Sequence, residues 1–157
     1  YLMSNVDAAI FKAKLELETI TPEEIQEWAS ATLETDSSND LALEICFLSK
    51  PEEVITYFKK ISKNIFSVTL TDEIINDLLK DYINKNLSLF PIKEAQHPLI
   101  QKLLHFTNVI ENKDLFDLLN YYDDQFYLSS EGYTSSTPDI VFQDFINDLK
   151  NFLSNSD

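Results

Sequence analysis

Glu94-Ala95-Gln96-His97 carries the Glu-x-x-His spacing by which helical bundles ligate a pair of iron ions. That centre needs a second such pair and two further glutamates, and here the histidine abuts Pro98. The other histidine, His105, stands about two helical turns further on, so the two cannot share a metal unaided. Asp36-Ser37-Ser38-Asn39-Asp40 begins like a calcium loop. It lacks the glycine at the sixth position and puts Phe47 where the bidentate glutamate belongs. Cys46 is the single cysteine and lies in the apolar run Leu43, Ile45, Cys46, Phe47, Leu48 without a neighbouring base, so a buried, unreactive thiol is expected. Serines are plentiful, but no Gly-x-Ser-x-Gly elbow exists, and one glycine in the whole chain excludes phosphate-cradling loops. Adjacent carboxylates could in principle do acid–base work. Glu23-Glu24 and Glu52-Glu53, however, fall in first helical turns, where capping explains them. These residues predict no metal, no cofactor, no catalytic residue and no enzyme.

The remaining chemically loaded stretch is residues 120–139, NYYDDQFYLSSEGYTSSTPD, which gathers four tyrosines, Phe126 and four acids around the only glycine, Gly132. Two readings are open. The tyrosines could plug the rim of a core with their hydroxyls wet. Alternatively, tyrosine and carboxylate together could form a recognition patch, since tyrosine offers large contact area at low entropy cost and carboxylates steer a cationic partner. On the second reading Tyr121, Asp123, Asp124, Tyr127, Glu131 and Tyr133 are the partner-binding residues. If the helix opened by Asp114 continues through the stretch, Tyr122 and Phe126 extend its apolar stripe while Asp123, Asp124 and Tyr127 point outward.

The elements that would hold this patch are helical. Thr21-Pro22-Glu23-Glu24 reads as a capping box with proline at the first helical position. Ser49-Lys50-Pro51-Glu52 repeats that logic, Thr71-Asp72-Glu73 opens a third helix, and His97-Pro98 and Thr137-Pro138-Asp139 read as two more starts. With helices over 5–17 and 41–48 and one from Asp114, about eight are expected. The segment 64–70 is rich in β-branched residues and is the one candidate for a short strand; with no partner strand it reads as a connector. A single glycine where about 7% is usual also argues against a β-rich fold. The expected fold is therefore all-α, one compact multi-helix domain over 1–157.

Twenty-seven acids oppose twelve lysines, with no arginine, for a net charge of −15. Such a chain repels phosphate, so neither direct nucleic-acid binding nor adhesion to anionic membrane is expected. The charge is uneven: residues 1–60 carry −7, 61–113 are neutral, and 114–157 carry nine acids against Lys150 alone. An acidic surface either keeps a protein soluble or complements a basic partner.

The stretches ITPEEIQEWASATLE and DLALEICFLSK, followed by a helical body and DLLNYYDDQFYLSSEGY, resemble small acidic bacterial immunity proteins, including those of contact-dependent growth inhibition systems. The resemblance implies a cytoplasmic protein that binds and blocks a cognate basic toxin, often a nuclease. The alternatives are an acidic helical adaptor or subunit of a larger assembly, and a protein that mimics nucleic acid.

Overall fold

The computed structural model describes residues 2–62 and 70–155. Among them are eight α-helices, one short 3-10 turn and no strand, so the fold is all-α. The strand candidate at 64–70 lies outside the described residues except for Leu70. No helix among the described residues is long and apolar enough to cross a membrane. Packing gathers the chain into two compact units, Tyr1–Thr71 and Asp72–Asp157.

The first unit contains α1 (Leu2–Glu16), α2 (Pro22–Thr35), α3 (Asp40–Cys46) and α4 (Pro51–Lys59). The capping box is present at α2: the Glu24 amide donates to Thr21 Oγ1 at 3.1 Å and the Thr21 amide to Glu24 Oε1 at 3.0 Å. Asn39 caps α3 through the Ala42 amide at 2.9 Å. At α4 the cap differs from expectation. Lys50 occupies the cap position without a side-chain bond, and Ser49 instead donates from its amide and hydroxyl to the Glu53 carboxylate. Phe11, Ile25, Ala29, Ile45, Val54 and Phe58 fill the core, with Trp28 set edge-on against Phe11 at 4.7 Å between centroids. Lys12 is buried there, its ammonium donating to the Phe58 carbonyl at 2.8 Å. That carbonyl belongs to the last turn of α4, the negative end of the helix dipole, where a cation is stabilising.

Cys46 is exposed, not buried as its apolar neighbours suggested. The reason is geometric. A helix buries one stripe of a continuous apolar run, and α3 spends Leu41, Ala42 and Ile45 on the core, which turns Leu43, Cys46 and Phe47 outward.

The second unit contains α5 (Asp72–Lys85), a 3-10 turn (Leu87–Leu89), α6 (Lys93–Ile110), α7 (Lys113–Ser130) and α8 (Pro138–Asn155). α7 packs against both α6 and α8. Its stripe of Leu115, Leu119, Tyr122 and Phe126 is buried, as are Leu103 and Phe106 of α6 and Phe142, Phe145 and Leu149 of α8, with the Tyr122 ring 5.5 Å from that of Phe145. α5 is tied in by Tyr82, whose hydroxyl donates to the Leu99 carbonyl at 3.2 Å. The helix start expected at His97-Pro98 is corrected: α6 begins at Lys93, and Pro98 lies inside it. There the proline forfeits the bond from its own nitrogen to the Glu94 carbonyl and crowds that carbonyl with its ring. Gln96 anchors the same turn by donating to the Phe90 carbonyl at 2.7 Å.

Three helices end in left-handed residues, at Glu18 (φ 58°), Glu111 (φ 49°) and Gly132 (φ 76°). Only the last uses the residue that adopts this conformation freely. Glu111 combines a backbone cost with a negative charge at the negative end of α6. Glu111→Gly is therefore expected to raise unfolding free energy by about 1 kcal/mol, and Gly132→Ala to lower it by about 1 kcal/mol. No atom lies within 4 Å of an added Cβ at Gly132, so that loss is purely conformational. Urea denaturation of the two variants checks both signs.

Candidate functional site

The aromatic–acidic stretch is the second half of α7 and the turn that follows it. α7 starts at Asn112, whose side chain accepts from the Leu115 amide at 3.0 Å, and it runs unbroken through Ser130. Burying Leu115, Leu119, Tyr122, Phe126 and Ser129 at steps of three and four residues leaves the opposite face to solvent. That face carries Asp117, Tyr121, Asp124 and Tyr127 and ends at Glu131, all exposed. Tyr121 is 55% and Tyr127 51% exposed, which is high for rings in the middle of a helix packed on both flanks.

Gly132 explains its own presence. The Tyr133 amide donates to the Leu128 carbonyl at 2.8 Å and the Gly132 amide to Ser129 at 3.2 Å, the two bonds of a Schellman stop with its left-handed residue at Gly132. The stop turns the chain back sharply. Tyr133, 69% exposed, thereby lies with its ring 6.4 Å from that of Tyr127. The glycine beside the tyrosines is thus what sets one tyrosine next to another.

Of the six residues selected from sequence, the structure gathers Tyr121, Asp124, Tyr127, Glu131 and Tyr133 on one face and its end. Asp123 is the exception to the outward placement expected of it. It is half-buried on the flank facing α6, with Oδ1 2.7 Å from Nε2 of His97. The His97 ring also lies against Phe126, with 5.0 Å between centroids. Sequence reasoning missed this pair because its members lie 26 residues apart and meet only once α6 and α7 pack. On the other flank Tyr122 donates to the Asp148 carboxylate of α8. Burial, then this bond and the negative charges of Asp148 and Asp144, push the Tyr122 hydroxyl above the ordinary tyrosine range. At the end of α7 a cavity of about 420 Å³ opens against the start of α8, walled by Phe126, Ser130 and Asp139. Gln96, also in its wall, has a side-chain carbonyl that accepts no hydrogen bond.

No group of three or more His, Cys, Asp or Glu that could hold a metal occurs among the described residues. The arrangement offers instead three accessible phenol rings with the carboxylates of Asp124 and Glu131 among them, and Asp117 paired with Lys113 at 2.6 Å further up the same helix. Comparison with protein-family models, curated proteins and solved structures returned no match.

A pH dependence follows from Tyr122, and from Tyr57, whose hydroxyl is pushed up by burial and then by its bond to Glu44. Below about pH 10 both folded and unfolded chains keep these protons; above it the unfolded chain loses them first, so the folded state loses stability as pH rises. Urea midpoints are expected to fall between about pH 10 and pH 11. Tyr122→Phe should make that fall shallower.

Proposed function

We propose that this protein is an immunity-type inhibitor that binds and neutralises a basic bacterial toxin through the outer face of α7. The observation that carries the reading is the coincidence of Tyr121, Tyr127 and Tyr133, all more than half exposed, with Asp117, Asp124 and Glu131 on one rigid helix and its stop. Large rings that remain in water gain area only when a partner covers them, and interface energy concentrates in such anchors. The field around them points the same way: residues 114–157 carry nine acids and one lysine. A toxin that acts on nucleic acid needs a basic cleft, and an acidic face of this kind can occupy one.

The direct test uses a basic toxin domain encoded beside this protein's gene. Co-expression should restore growth, and the purified pair should form a one-to-one complex. Tyr127→Ala combined with Asp124→Lys is expected to weaken that complex at least about tenfold, or about 1.4 kcal/mol. Folding should survive, because both side chains are exposed. Glu27→Lys with Glu34→Lys, also exposed but on α2 of the first unit, adds more positive charge and should weaken it much less. Equal losses from the two pairs would reduce the effect to net charge and remove the face from the account. A stable complex that leaves the partner's activity intact would favour the adaptor reading. Association should also slow steeply as salt rises while dissociation changes little, because steering is screened over about 8–10 Å at physiological ionic strength. Stopped-flow rates that stay flat across salt would contradict a steering role for the acidic surface.

A further inference from the structure

The seven-residue helix α3 is apolar on both sides. One side, with Leu41, Ala42 and Ile45, is core. The other presents Leu43 at 36% exposure, Cys46, and Phe47 at 85%, the most exposed large apolar side chain among the described residues. Large apolar side chains clustered in water on one side of a helix mark a surface that a partner can cover. It is also edged with carboxylates. Asp40, Leu43, Glu44 and Phe47 follow one another at helical spacing, and Asp40 and Glu44 are exposed. Glu44 accepts a hydrogen bond from Tyr57 of α4, which joins this face to a groove of about 370 Å³ beside α4. The groove is walled by Leu48 and Tyr57 and edged by Glu52, Glu53 and Lys60.

We infer that this face and groove form a second docking surface, for a basic amphipathic helix of a partner protein. Leu43 and Phe47 would meet the apolar side of that helix, while its lysines or arginines would meet Asp40, Glu44, Glu52 and Glu53. A basic helix matches on both counts: Leu43 and Phe47 give the face an apolar middle, and Asp40, Glu44, Glu52 and Glu53 supply four carboxylates along the face and groove. The surface lies on the first unit, and the inference stands whether or not the face of α7 binds a toxin.

Cys46, the only thiol, sits in this face and reports its occupancy. The probe is a leucine–lysine peptide of about 18 residues with every leucine on one helical side. Saturating peptide is expected to slow Cys46 alkylation by iodoacetamide at least tenfold. Phe47→Ser, an exposed substitution, should raise the peptide's Kd at least tenfold, whereas Asp124→Lys on α7 should change it by less than about threefold. The inference is overturned if the peptide does not bind saturably, or binds while alkylation proceeds at its free rate. It is equally overturned if a leucine–glutamate peptide of the same pattern protects Cys46 as well. Protection that grows with protein concentration in the absence of peptide would also overturn it, by assigning the face to a second copy of the chain.

Discussion

The second unit is organised by the burial of one stripe of α7 between α6 and α8. Leu115, Leu119, Tyr122 and Phe126 enter the core together, each removal from water contributing about 1.5–3 kcal/mol. Once that stripe is fixed, the helix has no rotational freedom left, and the residues half a turn away must face solvent. Tyr121, Asp124 and Tyr127 are therefore presented by the same packing that stabilises the unit. Both flanks of the helix are pinned by polar contacts, His97 with Asp123 on one side and Tyr122 with Asp148 on the other. A contact face on so constrained a helix is preorganised, which reduces the entropy lost on binding.

Ending helices without glycine is the second constraint. The chain stops α1 and α6 with glutamates in the left-handed region and reserves its single glycine for the end of α7. At the first two stops the backbone strain is absorbed by the structure around it. At the third a relaxed stop sets Tyr133 beside Tyr127, so the position where glycine is used is also where the chain needs a dependable reversal. The first unit shows the complementary case, in which a short helix cannot bury all of its apolar residues and leaves Phe47 in water.

Much of the fold was legible because the information is local. The capping box at Thr21 and Glu24 and the cap-and-proline start at Thr137 and Pro138 lie within four residues of sequence and need nothing else to form. Period placed Tyr122 and Phe126 inward provided that α7 continues through the tyrosines, and it does continue. What was not legible depends on which elements meet. Lys12 reaches Phe58 across 46 residues, and His97 reaches Asp123 across 26, so the half-burial of Asp123 could not be read from its neighbours. Pro98 misled because proline marks a helix start only as a tendency, and here it lies inside the helix. Cys46 misled because a continuous apolar run in a helix of seven residues does not reveal which side faces the core.

The proposed function places a basic partner on the outer face of α7. Hydroxyl-radical footprinting of the protein alone and saturated with its basic partner, read residue by residue by mass spectrometry, tests it most directly. The account predicts that Tyr121, Tyr127 and Tyr133 lose reactivity together on complex formation while the exposed Ile140 on α8 keeps its own. Undiminished reactivity of all three tyrosines in a saturated complex would contradict it.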